Sequence, residues 1–191
     1  VIAVEKGFIK DEYELMRLEE QVIIAGMKCV IENCEKELEI LGKEVEIPKR
    51  PFPLLEFPEV YEILKDLGVD YAPHLIAGIH YGKIVGERNA INILKDRNFR
   101  NFVFLTLIPT KNTPMENVEL DWKGILRILG ETKVIKARKL LGCMRVRNPM
   151  LEIEAVKNGY EGIVLPTKEA KKYLQSKGYR FVEKDVCCAM V

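Results

Sequence analysis

The chain has 191 residues, 30 Lys and Arg against 29 Asp and Glu, a net charge of +1, and 48% hydrophobic residues. That apolar fraction excludes a disordered chain, and the length suffices to bury a core. The charge balance gives no overall field for gathering phosphate, which argues against a dedicated nucleic-acid binder. No apolar run reaches the roughly eighteen residues of a membrane-spanning helix, and no basic-then-apolar leader is present, so a cytoplasmic chain without a membrane partner is expected.

Two scarcities narrow the class further. Ser176 is the only serine and sits in the turn-like Gln175-Ser176-Lys177-Gly178, which excludes a serine hydrolase built on a strand-to-helix elbow. Gln21 and Gln175 are the only glutamines beside 31% charged residues, a thermophile-like balance. The five cysteines, Cys29, Cys34, Cys143, Cys187 and Cys188, form an odd set. They argue for a reducing compartment rather than a disulfide framework. Each reads either as a small buried hydrophobe or as a thiolate for iron–sulfur or redox chemistry.

In chain order, residues 11–42 read as helix, with Leu15, Leu18, Val22 and Ile23 at helical spacing and with Gly26 and Gly42 as break or stop points. Residues 47–58 hold four prolines and mark a boundary. They separate a mainly helical segment, 1–58, not necessarily continuous, from an α/β domain, 59–191. Val60, Ile63, Leu64 and Leu67 then mark a short helix ended by Gly68. Strands are expected at 69–79, 102–108, 134–146, 161–165 and 179–188. Helices are expected at 87–95, 119–129, 150–158 and 167–177, the last with Thr167 as N-cap and Gly178 just past its end. The unbroken apolar run 102–108 reads as a strand buried on both faces. The alternation implies crossover units and a parallel sheet, in part of a barrel or an open doubly wound sheet.

Function in such sheets collects at the carboxyl ends of the strands. Three ends are rich in special residues. The stretch from Ala77 to Glu87 carries Gly78, Gly82 and Gly86, whose amides suit close approach to an anionic ligand, with His80 beside Tyr81. His74, inside the strand, reads as a core or sheet-face histidine. The stretch from Ile108 to Met115 is a rigid loop with Pro109, Thr113 and Pro114. The stretch from Leu141 to Pro149 sets Cys143 beside Arg145 and Arg147, which would lower a thiol pKa or grip a carboxylate as a fork.

Taken together, LGVDYAPHLIAGIHYGKIVGE, FVFLTLIPTKNTPME, GCMRVRN and MLEIEAVKNGYEGIVL resemble the C-terminal half of the radical S-adenosylmethionine barrel of the biotin synthase and lipoyl synthase-like group. The resemblance covers about residues 59–188 and implies a partial (β/α) barrel of TIM-like type behind an N-terminal helical segment. It implies an enzyme that uses S-adenosylmethionine and a 4Fe–4S cluster to abstract hydrogen from an unactivated C–H bond, with sulfur insertion as one outcome. Carried onto this chain, the catalytic residues would be His80, Glu87 and Arg145. Cosubstrate contacts would come from Gly78, Gly82, Gly86, Glu87, Pro109 and Thr113, and Cys143, Cys187 and Cys188 would be thiolates for a second cluster. The expected partners are a small-molecule or carrier-bound substrate, an electron donor and either a second copy or a partner subunit, with no nucleic acid. The group's C-x3-C-x2-C loop does not occur in this sequence and Cys29-x4-Cys34 has another spacing. The main cluster's ligands would therefore lie outside a chain that starts at Val1. Two other readings stay open: a different α/β barrel enzyme using Glu87, His80 and Lys111, and a non-catalytic α/β subunit.

Overall fold

The computed structural model of the chain describes residues 9–186. They fall into two compact units, one ending at Val60 and one beginning at Tyr61.

The first unit is built on α1 (Glu12–Asn33) and α2 (Glu35–Leu41). Asp11 caps α1, its side chain accepting from the Glu14 amide at 3.0 Å. The expected break at Gly26 is absent: the helix runs through it and stops at Cys34, whose φ of −125° and ψ of 33° leave the helical region. Glycine in a helix interior weakens it without ending it, so a single continuous apolar face carries the helix onward. Gly42, at φ 59°, ends α2 in the left-handed conformation that glycine adopts without steric cost. The proline-rich segment that follows is tied to α1 through Glu20. Its carboxylate accepts from the Phe52 amide at 2.5 Å and from Arg50 Nε at 3.1 Å. Glu20 is the only buried residue of this unit among those described. Leu15, Leu18, Val22, Met27, Val30 and Val45 line an open apolar groove of about 680 Å³ along α1.

The second unit is α/β with a parallel sheet, as the alternating pattern requires. It begins within α3 (Phe57–Asp66) and continues through β1 (His74–Ala77), α4 (Glu87–Leu94), β2 (Asn101–Thr106), α5 (Trp122–Glu131), β3 (Arg138–Leu141), α6 (Pro149–Lys157), β4 (Tyr160–Ile163) and α7 (Lys168–Ser176). The four strands stand in the order β1-β2-β3-β4, every pair parallel. Strand β2 is buried at all six positions. One face carries Phe102 and Phe104 beneath Ile91, Leu94, Ile125, Ile128, Leu129, Leu151 and Ala155 of α4, α5 and α6. The opposite face carries Val103, Leu105 and Leu140, with Val164 against them. Burying each phenylalanine contributes roughly 1.5–3 kcal/mol relative to exposure.

Several elements are shorter than the pattern suggests. Of residues 69–79 only His74–Ala77 pair with β2, and Pro73, lacking an N–H, sits just before the ladder. His74 lies on a sheet face, exposed, with Nδ1 2.7 Å from the Ala72 carbonyl oxygen. Residues 134–146 contain β3 at Arg138–Leu141 only, preceded by a 3-10 turn at Thr132–Val134. Residues 179–186 form no strand, and 187 and 188 lie outside the described residues. Local capping is as expected at α7, where Thr167 Oγ1 accepts from the Ala170 amide. Asn148 caps α6, accepting from the Met150 and Leu151 amides with Pro149 in the first turn.

Candidate functional site at the carboxyl rim of the sheet

Because all four strands run parallel, the loops that follow them emerge on one rim. The first loop, 78–86, turns back on itself. Gly82 N donates to the Gly78 carbonyl oxygen at 2.9 Å, and Lys83 N donates to the His80 carbonyl oxygen at 3.0 Å. Glu87, in the first turn of α4, braces it from within. One carboxylate oxygen accepts from the Gly78 amide at 2.7 Å and the other from the Val85 amide at 2.8 Å. Glu87 is thereby buried, while His80 and Tyr81 stand exposed at the tip, their rings edge to face at 5.6 Å.

The second loop packs against the first at Gly82. At φ 78° this position suits glycine, and a Cβ there would overlap the Glu119 carbonyl oxygen. The Asp121 amide donates to the Gly82 carbonyl oxygen at 2.9 Å and joins the two loops. Thr113 Oγ1 donates to the Thr110 carbonyl oxygen at 2.7 Å, and Pro109 is half-buried beside exposed Lys111.

The third and fourth loops are fixed by arginines. Arg145 Nη2 donates to Glu152 at 2.6 Å, and both side chains are fully enclosed. Its Nη1 donates to the carbonyl oxygens of Gly142 (2.5 Å) and Val164 (2.9 Å). The other Glu152 oxygen accepts from Thr167 N and Thr167 Oγ1 at 2.7 and 2.6 Å. Burial pushes the Arg145 guanidinium down from its ordinary range, against the opposing pull of Glu152. Arg147 lies exposed and donates through Nη1 to the carbonyl oxygens of Val164, at 2.8 Å, and Leu165. Val146 N donates to Thr106 Oγ1 at 2.9 Å, which ties the third loop to the end of β2.

The rim therefore gathers Gly78, His80, Gly82, Gly86 and Glu87 in one loop, Pro109 and Thr113 in the next, and Cys143 and Arg145 in the third. No hydrogen bond among the described residues joins His80 to Glu87 or to Arg145. Glu87 and Arg145 face inward and shape the rim; His80, Lys83, Lys111 and Arg147 face out. Sequence reasoning missed Glu152 and Thr106. Glu152 carries a signal, a charge between Leu151 and Ala155 on the buried stripe of α6, where a carboxylate needs a partner. Cys143 is an exposed free thiol, and Cys187 and Cys188 lie outside the described residues.

The backbone adds one more feature. Among the described residues, the non-glycine positions with positive φ are Tyr81 (49°), Asn112 (61°) and Leu165 (46°). They lie in the loops after β1, β2 and β4, and such strain concentrates at functional sites.

The chain is similar to aspartate–tRNA(Asp) ligases. It is 48% identical to that of Pyrococcus abyssi over 67 residues, which is 35% of this chain and 15% of the relative. It is 42% identical to that of Pyrococcus furiosus over 125 residues, 64% of this chain and 27% of the relative. With the Thermococcus kodakarensis ligase it shares 32% identity over 122 residues, 62% of this chain and 26% of the relative. The chain thus spans between 15% and 27% of these relatives' length. No protein-family model and no solved structure matches it.

These relatives overturn the expected kinship with the radical S-adenosylmethionine group, and with it hydrogen abstraction, sulfur insertion, S-adenosylmethionine and the 4Fe–4S cluster. The expectation of no nucleic-acid partner falls too, since the relatives are ligases of tRNA. Among the described residues no group of three or more His, Cys, Asp or Glu could hold a metal ion. The strand-end motifs misled because glycine-rich turns and proline-bounded loops recur wherever a parallel strand feeds a helix, whatever the chemistry. No helix among the described residues is long and apolar enough to cross a membrane.

Proposed function

We propose that the chain takes part in aspartyl-tRNA formation, as a portion of an aspartate–tRNA ligase or a derivative of one, and that it contacts tRNA(Asp). The observation that carries this reading is the 48% identity to a ligase over 67 residues. Joining aspartate to a tRNA hydroxyl makes an ester, which is uphill in water, so the reaction draws on an activating nucleoside triphosphate. With Glu87 and Arg145 turned inward, the outward groups of the rim, His80, Lys83, Lys111 and Arg147, suit binding better than proton transfer. Gly78, Gly82, Gly86, Pro109 and Thr113 then shape the loops on which ligand contacts are carried.

Three coarser readings accompany it. The four sequential parallel strands, with α4, α5 and α6 on one face and a small aliphatic cluster on the other, support an arc of a (β/α) barrel. A boundary near 58 between a helical segment and the α/β domain accords with the proline-rich stretch. A cytoplasmic setting accords with the free thiols Cys29, Cys34 and Cys143.

Electrophoretic mobility of tRNA(Asp) titrated with the full chain tests the reading. A shifted complex that an unrelated tRNA fails to displace is expected. No complex, or equal displacement by any RNA, overturns it.

A further inference from the structure

We infer that a cavity between the β3–β4 side of the sheet and the segment after α7 binds an apolar carboxylate, with the charged end on Arg138 and Arg180 and the hydrocarbon on Leu140, Val164 and Phe181. The inference goes beyond the proposed role in aspartyl-tRNA formation and does not rest on it.

The cavity measures about 740 Å³ and lies wholly within the second unit. That volume falls among sites that enclose a small organic ligand. Its floor is aliphatic. Leu140 is buried on β3 and lies over Gly162 of β4, where a Cβ would come within 2.5 Å of Leu140 Cδ2. Val164 packs on the same face of the sheet. Residues 180–186 form the opposite wall, with Phe181 half-buried.

The walls are held from both sides. Lys171 of α7 donates through Nζ to Glu183 at 2.7 Å, and its ammonium stands 5.8 Å from the centre of the Phe181 ring. Across the cavity, Arg145 and Arg147 both donate to the Val164 carbonyl oxygen, at 2.9 and 2.8 Å. Leu165, the next lining residue, keeps a positive φ of 46°. Such strain concentrates at ligand sites, and held walls lose little freedom when a ligand enters.

Charge selects the ligand. Arg138, Lys171, Arg180 and Lys184 line the cavity beside Glu161, Glu183 and Asp185. Lys171 is matched by Glu183, which leaves three cations against two carboxylates. Arg138 is poorly matched. Its Nε stands 3.6 Å from a Glu161 oxygen, too far for a hydrogen bond, and is buried without a hydrogen-bond partner. The Glu161 side chain is 63% exposed, so water competes for it and the pair is weak. A buried guanidinium N–H without an acceptor calls for one. An inorganic anion would leave the aliphatic floor unused, and a neutral hydrocarbon would leave Arg138 Nε unsatisfied. A carboxylate on an apolar body meets both.

The probe is decanoate, titrated below its micelle concentration into the isotope-labelled full chain and followed through the backbone amide resonances. Saturable shifts at Leu140, Gly162 and Phe181 are expected, with decanol binding at least about 10-fold more weakly. Arg138→Gln should reduce that preference to about 3-fold or less. Arg180→Gln, at an exposed position outside every helix and strand, should reduce it as well and serves if the first variant fails to fold. Aspartate, a carboxylate with no apolar body, should not displace decanoate. Shifts confined to the α1 groove, equal affinity for decanoate and decanol, displacement by aspartate, or a preference unchanged in the folded variants overturns the inference. None of these readouts involves tRNA, so a failure here is distinct from a failure to select tRNA(Asp).

Discussion

Arg145 and Glu152 form an enclosed ion pair at 2.6 Å, seven residues apart in sequence, and between them they hold the loops after β3 and β4. Glu152 also accepts from Thr167 N and Oγ1, so a single carboxylate joins the third loop, α6 and the cap of α7. Arg145 Nε is buried without a hydrogen-bond partner, which marks this as a costly arrangement whose gain is loop position.

Removing one partner strands the other charge. Glu152→Ala should destabilise the second unit by about 3–5 kcal/mol, more than a typical surface change. The urea midpoint of unfolding, followed by circular dichroism, checks this. A loss under about 1 kcal/mol would mean that water reaches the pair.

Phe104 lies in the all-buried β2 and meets the Tyr160 ring edge to face at 6.2 Å. Phe104→Ala should cost about 3–5 kcal/mol, and Phe104→Leu markedly less, because the cavity term shrinks with the volume removed. Thermal unfolding of the two variants gives the ranking directly.

Two glycines should respond in opposite directions. Gly26 lies inside α1 with open space around a new Cβ, so Gly26→Ala should stabilise α1 by about 0.5–1 kcal/mol. Gly82, at positive φ and against the Glu119 carbonyl, should lose at least about 1 kcal/mol on the same change. Melting temperatures that move together would contradict the assigned conformations.

The Phe52 amide above all, with help from Arg50, holds the Glu20 carboxyl below the usual carboxylate range against the cost of its burial. A lowered folded value means that this tie contributes fully above the ordinary glutamate pKa and is lost as pH falls through the lowered one. The Phe52 amide proton resonance should therefore titrate below the ordinary glutamate range. A midpoint at or above the ordinary glutamate value would contradict the tie.

Much of the second unit was legible. The run FVFLTLI reads as a strand buried on both faces, which holds for Phe102–Thr106 but not for Leu107 and Ile108, and Thr167 with Gly178 bracketed α7 by capping chemistry. The stop at Cys34 was not legible, because no residue there breaks a helix by its own preference. The inward turn of Glu87 was also hidden: it depends on a loop folding back over nine residues to offer two amides. The same loop sequence reads equally well as a ligand cradle, and that ambiguity carried the reading toward the wrong enzyme family.

Participation in aspartyl-tRNA formation is open to a competition-binding measurement. Labelled tRNA(Asp) bound to the full chain is displaced with unlabelled tRNA(Asp) or with a tRNA of another amino-acid identity. tRNA(Asp) should compete at least about 10-fold better, a preference of about 1.4 kcal/mol. Equal competition by the two RNAs, or no binding of tRNA(Asp), would contradict it.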